Sequence, residues 1–209
     1  MAEEYFDIYD EQLNHLGTAP RSTVHQSGFW HQTFHCWIYF QQWNEMYILF
    51  QRRHPRKDTF PGHYDITCAG HLTAGEQPED GVREISEELG LQVSFHDLQP
   101  LGVHKLVNLD GPLVDREISH VYAYRCAQAL DQYILQPDEV SSLVKMNLDQ
   151  ALSLFSGTQS SAIVEGVALQ PDGQMTCLSE TVTLTDFVPH GAPYYLQVLQ
   201  TIRSFCQKE

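Results

Sequence analysis

Apolar positions alternate with polar ones over short stretches along most of the chain, and a helical period replaces the alternation in three places. Glu4–Tyr9 reads as a short strand followed by a turn near Asn14–Gly17. His35–Phe40 and Glu45–Gln51 are aromatic and β-branched runs around a polar turn, which predicts a hairpin. Gly62–Thr67 leads into another short strand. Pro78 suits the first turn of a helix running to Leu89, with Gly90 placed as its C-cap. Leu101–Val107 and Glu117–Arg125 read as strands around the turn Leu109–Pro112, and Ser142–Met146 as a further strand. Asn147 can cap a short helix, Leu148–Phe155. Ser156–Ser161 is a polar linker, and Gly166–Leu184 predicts a hairpin turned at Pro171–Gly173. Tyr195, Val198, Leu199, Ile202, Phe205 and Cys206 share one face of a final helix. Strands dominate, so the expected class is α+β with a mixed sheet between helices. The expected organisation is a catalytic domain over residues 1–155 with an N-terminal strand extension. Residues 156–209 then form an appendage packed on the same core.

The stretch Gly70–Leu91 carries the densest chemistry. Glu84, Glu87 and Glu88 stand at i, i+3 and i+4, which places three carboxylates on one helical face. Such a triplet is more often a solvated acidic face. Its other reading is a nest for hard divalent cations, which take oxygen ligands. Val82, Ile85 and Leu89 give the same helix an apolar face, so it can pack on the sheet while its acids face a cleft.

Charge narrows the partners. The chain of 209 residues carries 27 acidic against 12 basic side chains, a net charge of −15. Such a surface repels nucleic acid polymers and anionic membranes, and leaves room for a small anionic substrate where cations cluster locally. Arg52, Arg53, Arg56 and Lys57 form such an island. The apolar runs, such as Cys36–Phe40, are too short for a membrane helix. The acidic start, Met1–Asp10, lacks the apolar core of a secretory signal. Five dispersed cysteines (Cys36, Cys68, Cys126, Cys177, Cys206) without a CxxC pair read as reduced thiols. The expected location is therefore cytoplasmic, and a homodimer is compatible with the composition.

Gly70, Glu76, Arg83, Glu84, Ile85, Glu87, Glu88, Gly90 and Leu91 resemble the signature of the Nudix hydrolase family: Gly, five residues, Glu, seven residues, then Arg-Glu-apolar-x-Glu-Glu-x-Gly-apolar. One departure is present, because six residues rather than seven separate Glu76 from Arg83. Glu79 and Asp80 suit a first helical turn, so the missing residue is placed in the preceding loop, which puts the role of Glu76 in question. The resemblance implies a Nudix-like α/β/α sandwich with a central mixed sheet and here a C-terminal β-hairpin and helix appended. It also implies Mg²⁺ or Mn²⁺ on Glu84, Glu87 and Glu88, with Glu87, Glu88 and Arg83 catalytic. Arg83 would orient Glu87 or Glu88 through a salt bridge.

From about Glu4 to Met146 the chain is also similar to the Nudix branch containing type I isopentenyl-diphosphate isomerases. That branch uses a cysteine directly before the Gly-His of its box, and here the position is Ala69. Cys68 lies one residue earlier, which on a strand points to the opposite face. The branch also holds a divalent metal with histidines and strand glutamates. His31 and His71 match two of those positions, and His25 matches a third after a one-residue gap. Glu117 matches one glutamate and Asp115 replaces the other. Such a mixed set suits Mn²⁺ or Zn²⁺ better than Mg²⁺. Alternatively, Glu117 completes the hydrolytic cluster, and Glu139 is a further candidate for it. Arg52, Arg53 and Lys57 align with the branch's diphosphate-binding cations. Phe29, Trp30, Phe60 and Tyr64 could stack on a base or belong to the core.

The expected function is metal-dependent hydrolysis of a nucleoside diphosphate or related small X-diphosphate by water attack at phosphorus. Isopentenyl-diphosphate isomerisation is the competing reaction, and a binding module on a Nudix scaffold is the non-enzymatic alternative.

Overall fold

The computed structural model describes residues 3–110 and 113–205. Its elements in chain order are β1 (Tyr5–Tyr9), β2 (His15–Pro20), α1 (Arg21–Ser27), β3 (Trp30–Gln42), β4 (Glu45–Arg53), β5 (Tyr64–Asp65), β6 (Cys68–His71), α2 (Arg83–Leu89), β7 (Gln99–Asp110), β8 (Leu113–Arg125), β9 (Val140–Asn147), α3 (Leu148–Phe155), β10 (Ala162–Leu169), β11 (Met175–Val182) and α4 (Ala192–Phe205). One mixed sheet runs β11-β10-β9-β4-β3-β1-β2. In addition β5 pairs with β4, β6 and β8 pair with β3, and β7 pairs with β8. The β3–β8 pair is parallel and every other pair is antiparallel.

Strand alternation explains how one sheet serves two layers and a site. The even residues Phe34, Cys36 and Ile38 of β3 face a core shared with Ile85 and Leu89 of α2. The odd residues Trp37 and Tyr39 face a second core that takes in α3 and α4, including Leu154, Tyr194, Val198 and Ile202. Nearer the start of β3 the odd series reads His31, Thr33, His35. The register His31↔Glu117 and Thr33↔Ser119 continues that polar face onto β8, and Thr33↔His71 and His35↔Ala69 continue it onto β6. The apolar odd face thus turns polar toward the start of β3. Residues beyond the linker add β10 and β11 to the same sheet and α4 to the same core.

Several local expectations shift. The first turn is at Asp10–Asn14, where the Asp10 carboxylate accepts the Gln12 and Asn14 amides at 2.9 and 2.8 Å. Residues from His15, read as the end of that turn, already pair with β1. The β3–β4 turn uses Trp43 and Asn44 at φ 54° and 62°, left-handed geometry that matches the strand twist. Pro78 does not open an α-helix. A tighter turn at Asp80–Val82 precedes α2, which ends at Gly90 with φ 69° and its amide on Ser86 O. Asn147 caps α3 by accepting from the Asp149 and Gln150 amides. Helix α1 had no expectation attached; Pro20 precedes it and Gly28 closes it at φ 66°. The expected turn residues Gly111 and Pro112, together with Met1 and Cys206, lie outside the described residues. Among those described, no helix is long and apolar enough to cross a membrane.

Candidate active site

A cavity of about 380 Å³ opens where α2, β6, β8 and the polar end of β3 meet. Its lining includes all three box glutamates and the cations Arg21, Arg53, Lys57 and Arg83.

Glu88 sits deepest of the three, buried against the sheet. Its Oε2 accepts from Gln51 Nε2 at 3.2 Å and from the Ala69 amide at 3.3 Å. Burial, then Glu84, pushes its carboxyl up to about 8. Glu84 is raised to about 7, first by burial, with Arg83 opposing. It lies so close to Gly70 that a Cβ there would come 2.0 Å from Glu84 Cδ, so only glycine fits under that carboxylate. Glu87 is exposed at the helix surface, 3.4 Å from Arg83.

Arg83 joins the box together. Its Nε and Nη2 donate to the two oxygens of Glu76 at 2.9 and 3.0 Å, Nη2 also to His71 O at 3.0 Å, and Nη1 to Glu84 at 2.6 Å. The shortened spacing therefore still delivers Glu76 to Arg83. The guanidinium engages Glu84 and Glu87 rather than Glu88, which points inward to the sheet. Arg83 Nη1 bridges Glu84 and Glu87, at 2.6 and 3.4 Å, while Glu88 turns toward Gln51 beside Glu84.

A different set is drawn together. His25, His31, His71 and Asp115 present one donor atom each, all within 4.8 Å of one another. The three Nε2 atoms and Asp115 Oδ1 are buried without hydrogen-bond partners among the described residues. His31 Nδ1 lies 3.2 Å from Phe29 O, which fixes the proton there and leaves the Nε2 lone pair facing the cluster. Burial lowers all three imidazoles, His25 to about 4, keeping them neutral and able to ligate. Phe6 stacks on His71 at 4.7 Å and on His31 at 5.4 Å, closing one side. Three imidazoles and a carboxylate fit a borderline divalent ion.

Glu117 lies beside that set. His35 is 3.6 Å away and Ser119 Oγ 3.4 Å. Burial raises its carboxyl, but His35, with His190 and His31, outweighs this and holds the group below its ordinary value. The proton direction follows from Trp37, which can only donate, to Tyr194 Oη at 3.1 Å. Tyr194 therefore gives its own proton to His35 Nδ1 at 2.9 Å, and His35 Nε2–H faces Glu117.

The basic island divides by strand parity. Arg53 reaches the cavity, donating to Asp65 at 3.0 Å and to Thr59 O at 3.0 Å. Lys57 pairs with Glu139, and both line the cavity. Arg52 turns to the other face, where it donates to Gly62 O at 2.8 Å and covers the Tyr64 ring. Adjacent strand residues point to opposite sides, so Arg52 and Arg53 cannot both serve this cavity. Ala69 lines the cavity, whereas Cys68 packs with Cys36 in the α2-side core. Trp30 and Tyr64 are buried and Phe60 lines the cavity. Sequence reasoning missed Arg21, His35, Asp65, Asn108 and His190. The alternation His31-Thr33-His35 would have flagged the second of these, but no local pattern marks His190.

Residues 30–164 match the family model of the NUDIX domain. An uncharacterized Nudix hydrolase of Clostridium acetobutylicum is 39% identical over 202 residues, covering 97% of this chain and 98% of that protein. The chain belongs to the Nudix hydrolase family. An isopentenyl-diphosphate Delta-isomerase of Mycolicibacterium vanbaalenii is 32% identical over 140 residues, 66% of this chain and 74% of that protein. A MutT/nudix family protein from Enterococcus faecalis has the same fold, with a TM-score of 0.55 at 13% identity, covering 83% of this chain and 62% of that one. Within this Nudix chain the family's box occupies the loop before α2 and α2 itself, and His190 and Tyr194 fall after the matched span.

Proposed function

We propose that this Nudix enzyme hydrolyses small X-diphosphates by water attack at phosphorus, with Mg²⁺ or Mn²⁺ on Glu84, Glu87 and Glu88. The observation that carries this reading is the intact carboxylate face of α2 turned into a cavity ringed by Arg21, Arg53, Lys57 and Arg83. When bound there, a divalent ion would neutralise charge developing on the phosphate oxygens and make water more acidic. The chain supplies the rest. Arg53 and Lys57 offer donors to the diphosphate once it displaces Asp65 and Glu139 from them. Arg83, anchored by Glu76, holds Glu84 in place. Glu87 or Glu88 accepts the proton of the attacking water. Glu117, kept ionised by His35, adds a carboxylate from outside the box.

Isopentenyl-diphosphate isomerisation is the second reading, favoured by the His25–His31–His71–Asp115 set and by Glu117. Ala69 weighs against it, since a methyl group stands where that branch has a thiol. The deciding experiment is a phosphate-release screen over nucleoside, sugar and prenyl diphosphates. Turnover should require Mg²⁺ or Mn²⁺, cease in EDTA and return on metal addition. Full activity in chelator would remove the proposal.

The histidine set has its own test. Metal analysis of His71→Ala should show at least one equivalent less Mn²⁺ or Zn²⁺ than the unaltered chain. Unchanged metal content would leave the four residues as a buried polar cluster only.

A further inference from the structure

One wall of the cavity enters the chemistry above only through the Asp65–Arg53 pair. Asp65 of β5, Asn108 of β7 and His190, which precedes α4, all line it; Asp65 and Asn108 are buried, and the His190 side chain is largely covered. Their hydrogen bonds run in one direction. Asp65 accepts at both oxygens, from Arg53 at 3.0 Å and from the Ile66 amide and His190 Nε2 at 2.8 Å each. His190 Nε2 therefore carries a proton. Its Nδ1, 3.2 Å from Asn108 Nδ2, accepts from that amide. In this arrangement the Asn108 amide turns its Nδ2 toward His190. Asn108 Oδ1 is left buried with no partner among the described residues. A buried acceptor without a donor is unfavourable, and a ligand that brings a donor relieves it.

A diphosphate cannot relieve it, because its oxygens are acceptors when ionised. Of the substrate's own groups, only those on X can bring the donor. We infer that Asp65, His190 and Asn108 form the X-group subsite and select X groups bearing a hydroxyl or N–H, such as a sugar or nucleoside, over hydrocarbon. This rests on the diphosphatase reading and specifies its substrate class. A hydrocarbon X would leave Asn108 Oδ1 unpaired and bury the wall against apolar surface. Sites built to hydrogen-bond a substrate discriminate strongly against analogues lacking the group. His190 lies beyond the residues matched by the family model, so the C-terminal segment supplies the member that orients Asn108.

The test is calorimetric binding, in Mg²⁺, of uncleavable methylene-bridged analogues of uridine diphosphate, ribose 5-diphosphate, isopentenyl diphosphate and pyrophosphate. The tighter of the two polar analogues should bind at least about 10-fold better than the isopentenyl one. Asn108→Leu should bring the two within about 3-fold while leaving the pyrophosphate analogue unchanged. His190→Leu, outside the sheet, should act in the same direction and guards against a folding defect in the strand variant. Isopentenyl binding equal to or tighter than both polar analogues would overturn the subsite. So would variants that weaken all four alike or leave the preference intact. Phosphate release from the natural counterparts separates the two readings. Selective binding without release removes the hydrolase and keeps the subsite, whereas release from polar and prenyl diphosphates at equal efficiency does the reverse.

Discussion

Glu88→Gln should lower kcat by at least about 100-fold and at the same time raise the melting temperature of the metal-free protein at pH 8. The two effects share one cause. Glu88 is buried beside Glu84, and its carboxyl is raised from 4.5 to about 8. The folded chain therefore holds this proton more tightly than the unfolded chain does. Stability from this group is fully present below about 4.5 and falls as pH rises toward about 8. Glu84, raised to about 7, adds to the same fall. Glutamine has no proton to lose, keeps a hydrogen-bond acceptor for Gln51 and the Ala69 amide, and removes the like charge. Thermal melts of the metal-free protein between pH 5 and pH 8 should consequently flatten in the variant, while steady-state kinetics collapse. Near-normal turnover in both Glu87→Gln and Glu88→Gln would sink the role assigned to α2.

Incubation with isopentenyl diphosphate should give no dimethylallyl diphosphate. Isomerisation needs a proton delivered to one face of an alkene and removed at another, by groups within hydrogen-bond reach. Ala69 lines the cavity and has nothing to transfer. Cys68 packs in the opposite core, and burial, with Glu88 beside it, holds its thiol well above the ordinary value. Glu117 alone is half of an acid–base pair. Product analysis by chromatography would reveal dimethylallyl diphosphate if another acid has taken the cysteine's place, and its accumulation at enzymatic rates would require the hydrolase reading to be withdrawn.

Where the structure agrees with the sequence, the information was local. The alternation of β3, the Asn147 cap and the Gly90 terminus each depend on a few neighbouring residues. The face of α2 was legible because helical spacing fixes which side chains share it. Arg52 shows the limit: proximity in sequence groups it with Arg53, but strand parity sends the two to opposite sides, and the resemblance alone did not weigh that. The shortened Glu76–Arg83 spacing could not be judged without the loop, whose turn at Thr73–Glu76 lets the Thr73 amide reach the Glu76 carboxylate at 2.7 Å. Asp65, Asn108 and His190 were invisible for a different reason. They are brought together from β5, β7 and a segment near the C-terminus, 125 positions separating the first from the last, and no period or motif joins them.

The most direct measurement follows the oxygen. Hydrolysis of a turned-over diphosphate in H₂¹⁸O with Mg²⁺ or Mn²⁺ should place one ¹⁸O in a phosphorus-containing product per cleavage event. EDTA should abolish the incorporation, and Glu88→Gln should reduce its rate in step with kcat. Turnover with no label on phosphorus, or label appearing at the same rate in chelator, would contradict water attack at phosphorus by the carboxylate face of α2.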